Sequence, residues 1–110
     1  MMIARIWHGV TLECESNEFL EYITRTGEKD CRSAPGNCGV YVLRRVEDGK
    51  AHFLFISFWD SYDSIKRFAG DEYEKAVYYP EDKKFLLELE ATVTHHEVLK
   101  GPQNPGCLQS

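Results

Sequence analysis

Residues 39–59 decide the fold: Gly39-Val40-Tyr41-Val42-Leu43-Arg44-Arg45-Val46-Glu47, then Asp48-Gly49, then Lys50-Ala51-His52-Phe53-Leu54-Phe55-Ile56-Ser57-Phe58-Trp59. Two runs rich in β-branched and aromatic residues flank an Asp-Gly pair. That pair suits a type I′ hairpin, whose two turn positions both need positive φ. A two-residue loop sets Glu47 opposite Lys50, so Arg45 faces His52, Leu43 faces Leu54, Val42 faces Phe55 and Tyr41 faces Ile56. Side chains alternate across a strand. One face therefore carries Tyr41, Leu43, Leu54, Ile56 and Phe58 with Arg45 and His52. The other carries Val40, Val42, Val46, Ala51, Phe53, Phe55 and Trp59 with Arg44 and Ser57. Both faces are apolar.

Outward from the hairpin, Ile3 to Val10 reads as a strand. Ser16 or Asn17 caps a helix that places Phe19, Leu20 and Ile23 on one side and runs out around Gly27 to Lys29. Ala34-Pro35-Gly36-Asn37 is turn chemistry. After the hairpin, Asp60 or Ser61 caps a helix with Tyr62, Ile65, Phe68 and Ala69 along one stripe, ended by Gly70. Asp71 to Tyr78 predicts a short helical turn, and Pro80 suits the start of a third helix over Glu81 to Leu87. Ala91 to Leu99 is the last strand. Residues 100–110, with two prolines and two glycines, read as a flexible tail, which leaves 1–99 as the domain. The order βαββαβ predicts an α+β, ferredoxin-like fold: a four-stranded antiparallel sheet with helices on one face. Two helices cover one apolar face only. Leaving the large side chains of the other in water forgoes ~1.5–3 kcal/mol each, so a homodimer packed sheet to sheet is expected.

At 110 residues and net charge −5, the chain supports one domain and offers no electrostatic footing for nucleic acid. No apolar run approaches the ~20 residues of a membrane span, and the start does not resemble a signal peptide, so a cytoplasmic protein is expected. The four cysteines form no C-x-x-C pair. Cys31 and Cys38 flank one loop and can meet under oxidation; thiols kept reduced are the other reading. Cys107 falls in the tail.

The element order resembles the antibiotic-biosynthesis-monooxygenase-like family of dimeric α+β barrels, over roughly Met2 to Leu99. The run Phe53 to Ser61, with its strand-Trp-acid-Ser-helix junction, carries the likeness, together with Phe68, Ala76 and the final strand His95-His96-Glu97-Val98. The resemblance implies a dimeric α+β barrel and either a cofactor-independent oxygenase for quinol-like or phenolic substrates or a haem-degrading oxygenase. The haem branch uses an Asn on the first strand, a Trp on the second helix and a His soon after it. By position His8 stands for that Asn, Phe68 for the Trp, and Val77 or Tyr78 for the axial His. The resemblance thus favours chemistry without a cofactor, with haem as an alternative ligand.

Among candidate site residues, His8 is either a core or rim histidine or a general base near neutral pH, deprotonating a phenol so that it can donate an electron to O2. Trp59, Phe68, Tyr73, Tyr78 and Tyr79 are either core or the walls of an aromatic pocket between sheet and helices. His52 is expected to pair across the strands with Arg45. His95 and His96 point to opposite faces and cannot share a metal. The expectation is a monooxygenase for a small aromatic substrate, with His8 as base and Trp59, Phe68, Tyr73 and Tyr78 binding the substrate. The alternative is a dimer that holds a hydrophobic ligand or haem without turning it over. Which sheet face lies under the helices stays open.

Overall fold

The computed structural model describes residues 1–102. Residues 103–110, with Cys107 and most of the expected tail, lie outside the described residues. Four strands, β1 (Ile3–Leu12), β2 (Asn37–Glu47), β3 (Lys50–Trp59) and β4 (Thr94–Glu97), form one sheet in the order β2-β3-β1-β4. Every neighbouring pair is antiparallel. The hairpin has the register expected from its turn: Asp48 and Gly49 sit at φ 52° and 74°, and Glu47 lies opposite Lys50. This is the ferredoxin-like α+β arrangement.

The first helical segment is longer than its sequence suggests. α1 (Ser16–Ile23) passes through a π-turn at Thr24–Glu28 into α2 (Lys29–Ser33) instead of ending near Gly27. The hydroxyls of Thr24, Thr26 and Ser33 each donate to the carbonyl four residues back, and Arg32 pairs with Glu28 across one turn. Burial of Cys31 then anchors the extension to the sheet. In α3 (Tyr62–Ala69), Ser61 is the cap: its hydroxyl accepts from the Ser64 N–H at 3.2 Å.

Two expected helices give way to tertiary hydrogen bonding. The segment 71–78 is not helical, because its backbone groups find partners elsewhere. Ala76 N–H donates to the Ala91 carbonyl, and Val93 N–H to that of Glu74. The third helix shrinks to one turn, α4 (Asp82–Phe85), since Leu86 leaves to bury itself and Leu87 N–H bonds the Val10 carbonyl. The last strand is likewise shorter than 91–99. No helix among the described residues is long and apolar enough to cross a membrane.

The helices cover the face bearing Ile3, Ala51, Phe53, Phe55 and Trp59. Phe19 and Ile23 of α1 pack with Leu86 on Phe53, while Ile65 of α3 and Cys31 of α2 pack on Ile3, Val40 and Trp59. Phe53 is fully buried, edge-on to Phe19 with ring centroids 5.1 Å apart. Phe53→Ala should cost about 3–5 kcal/mol, read as a lower urea midpoint at unchanged slope; a loss under ~1 kcal/mol would mean that this packing is not the core of the fold.

Candidate functional site

Between the helix-covered face and the helices lies a half-open cleft of about 610 Å³, part of it open to solvent. Its sheet floor is Arg5 and Trp7 of β1 with Phe55 and Ser57 of β3. Phe19, Ile23, Thr26, Gly27 and Cys31 form one wall, and Phe68, Val77, Tyr78, Tyr79, Asp82 and Val93 complete it. Trp7 fits because Gly9, the next residue on its face, has no side chain: a Cβ there would lie 2.1 Å from the indole. The indole Nε1–H donates to the Tyr78 hydroxyl at 3.2 Å, and that hydroxyl donates to the Glu90 carbonyl. Burial holds the Tyr78 phenol above its ordinary pKa.

The polar groups of the cleft are few and buried. Arg5 is only 5% exposed, yet the hydrogen-bond partners of its guanidinium are neutral groups. It donates to the Tyr73 carbonyl, to the Lys75 carbonyl at 3.2 Å and to His95 Nε2 at 3.1 Å. Because a guanidinium only donates, His95 must accept with Nε2 and carry its proton on Nδ1. Burial, with Arg5 and His96 beside it, pushes the His95 pKa down to about 4. Burial also pushes the Cys31 thiol up to about 12, although Arg5 and the Ser57 hydroxyl pull the other way. Asp82, 5% exposed, accepts from the Tyr79 N–H at 2.7 Å, and burial raises its pKa.

The expected site residues separate into three groups. Phe68 and Tyr78 line the cleft. Trp59 and Tyr73 do not: Trp59 is fully buried beneath Phe68, its Nε1–H donating to Ser57, and Tyr73 packs on Tyr62 and His95. His8 is on the opposite face of the sheet, so the arrangement in which it serves this cleft as base is corrected. The parity of β1 sends Ile3, Arg5, Trp7 and Gly9 under the helices and Ala4, Ile6, His8 and Val10 to the open face. There His8 stacks on His52 with centroids 5.5 Å apart, its Nε2 lies 3.2 Å from His52 Nδ1, and its Nδ1 pairs with Glu90. His52 thus meets His8, while Arg45, opposite it in register, pairs with Glu47. Cys31 and Cys38 are both free thiols, the first buried and the second exposed. Among the described residues no three His, Cys, Asp or Glu side chains are placed to hold a metal ion.

Arg5, Trp7, Cys31 and Asp82 are the cleft residues that sequence reasoning passed over. The available signal was Arg5 itself, a lone charge within Ile3-Ala4-Arg5-Ile6-Trp7.

The contact between Arg5 and His95 has a pH signature. The folded protein keeps His95 neutral down to about pH 4, whereas the unfolded chain protonates it near 6.5. The unfolded state binds more protons in that window, so this contribution is complete above pH 6.5 and is lost as pH falls toward 4. Urea midpoints should therefore fall more steeply over this range for the wild type than for His95→Gln. Parallel pH profiles would show that the burial of His95 is not linked to folding.

No family model and no curated protein matches the sequence. Solved structures do match in shape. A protein designated an antibiotic biosynthesis monooxygenase, from Bacillus cereus, superposes with a TM-score of 0.64 at 19% identity, over 92% of this chain and 98% of that one. A second of that designation, from Nitrosomonas europaea, gives 0.62 at 15% identity, over 91% and 94%. A haem-degrading protein from Mycobacterium tuberculosis gives 0.57 at 18% identity, over 93% and 99%. Identities this low speak to the fold alone: the chain has the same α+β fold as these structures.

Proposed function

We propose that the helix-side cleft binds a small phenol- or quinol-like substrate and that the protein is a cofactor-independent monooxygenase working in the cytoplasm. The observation that carries this is the lining. Aromatic walls from Trp7, Phe19, Phe55, Phe68 and Tyr78 enclose a space whose one carboxylate among the described residues, Asp82, is buried. A carboxylate with a raised pKa is a better proton acceptor than one in water. Asp82 removes the phenol proton; the phenolate then passes an electron to O2 and the two recombine at a ring carbon. Loss of water from the resulting hydroperoxide leaves one oxygen atom on the ring as a carbonyl. The apolar walls keep water from the sides of the reactive intermediate that they cover.

Haem fits this cleft poorly. No imidazole lines it, Cys31 is held as a neutral thiol, and the hydroxyls of Tyr78 and Tyr79 are donated to the Glu90 carbonyl and to Asp30. Among the cleft-lining residues an iron would find neither an imidazole nor a thiolate, and no step is assigned to one.

Oxygen uptake with a panel of naphthols and hydroquinones tests the reaction. Asp82→Asn should lower kcat by roughly 10²–10⁴ while the substrate still binds. In the wild type, kcat/KM should fall on acidification through the raised Asp82 pKa. Substrate-induced thermal shifts without oxygen uptake would instead identify a binding module.

The open face supports a homodimer. Leu43, Tyr41 and Leu54 are 46%, 41% and 37% exposed there, beside half-buried Ile6, Ile56 and Phe58. A self-complementary patch of this kind is what a two-fold axis requires. Leu54→Lys should shift sedimentation from dimer to monomer; a monomeric wild type at micromolar concentration would end the dimer reading.

A further inference from the structure

We propose that Arg5 is an anchor for an anionic group, and that the substrate of the cleft is an aromatic carboxylic acid; the assignment rests on reading the cleft as an aromatic site. A guanidinium has five N–H donors in a fixed fork. The Tyr73 carbonyl and His95 Nε2 take the two on Nη1, and the Lys75 carbonyl takes one on Nη2. Nε–H and the second Nη2–H have no acceptor among the described residues. Nε and Nη2 together form the side-on edge of the fork, whose geometry matches the two oxygens of a carboxylate. Nε is not sealed inside the protein: among the described residues, the one fully buried side-chain N or O atom without a partner is Asn37 Nδ2. Arg5 itself lines the cleft.

Charge points the same way. Each ion pair among the described residues joins other groups, so Arg5 is a buried cation without a counterion there. Its neighbours His95 and Cys31 are held neutral, and Ser57 carries no charge. A buried charge is costly until it is paired, and a ligand carboxylate entering here meets a desolvated partner already held in place by two backbone carbonyls. Asp82 lines the same cleft but makes no ion pair with Arg5. A hydroxylated aromatic acid offers each of these groups a partner: a carboxylate for Arg5 and a hydroxyl for Asp82.

The test is a matched pair of probes of one shape, 1-naphthoate and 1-naphthamide, titrated calorimetrically into the full-length protein at neutral pH. The acid should bind at least about tenfold more tightly, as expected for hydrogen bonds to a charged group. Arg5→Gln should bring the acid-to-amide affinity ratio to about one, whatever it does to the absolute affinities, and Arg5→Lys, which keeps the charge but not the fork, should give an intermediate ratio. Acetate, which lacks the ring, should not compete at concentrations where the naphthoate saturates. Equal affinity for acid and amide would overturn the Arg5 assignment and leave the aromatic cleft standing. Binding of neither probe would remove both. Should Arg5→Gln fail to fold, the acid-to-amide ratio in the wild type decides alone.

Discussion

The pairing of β1 with β3, Ile3 opposite Trp59 through to Leu12 opposite Lys50, is the constraint on which the site depends. Side chains alternate, so this one register decides which half of β1 faces the helices. A slip of one residue would take Arg5 and Trp7 out to the open face and bring His8 into the cleft. Several features hold the register in place. Ile3 and Trp59 are both fully buried in one cluster, Gly9 leaves room for the Trp7 indole, and Leu87 N–H holds the Val10 carbonyl at the far end. The hairpin turn passes the same discipline to β2, because positive φ at Asp48 and Gly49 forces Glu47 opposite Lys50.

The hairpin is legible in the sequence because its determinants are local. Asp48-Gly49 specifies the turn, the turn specifies the pairing, and the pairing sorts the residues of each strand into two faces. The identity of the covered face is not legible, because both faces of the hairpin are apolar and β1 is mixed on each side. Isoleucine, arginine and tryptophan alternate there with alanine, isoleucine and histidine. Hydrophobicity therefore does not decide the parity of β1, and by that measure His8 is as eligible for the cleft as Trp7. The segment 71–93 resists sequence reading for a different reason. Its helical expectation depends on local propensity, while its backbone groups are claimed by distant partners: the carbonyls of Tyr73 and Lys75 by Arg5, and the N–H of Leu87 by Val10. Propensity is a weak prior against hydrogen bonds of that kind.

Those same bonds explain how a cation can be kept in a largely apolar wall. Arg5 is not neutralised but solvated by protein, with backbone carbonyls and a neutral imidazole standing in for water. The arrangement is reciprocal. Without Arg5, the 73–75 segment would have two carbonyls to satisfy elsewhere, and the wall carrying Val77 and Tyr78 would lose one of its ties to the sheet. Binding chemistry and loop structure are thus the same set of contacts, which is why a strand residue, not a loop residue, controls the shape of the cleft.

The two faces of β1 are consequently not independent. Trp7 and His8 are adjacent, and both are tied to Glu90: the Tyr78 hydroxyl that receives the Trp7 indole N–H donates to its carbonyl, and His8 pairs with its carboxylate. One residue in the approach to β4 therefore links the wall of the cleft to the His8–His52 stack on the open face. If a second copy of the chain covers that face, it dries the stack and stiffens Glu90, and the Tyr78 side of the cleft stiffens with it. Dimerisation would then act on the cleft through two side chains and one carbonyl, without touching the ligand. Such coupling needs only that Glu90 adopt different positions when the open face is wet and when it is covered.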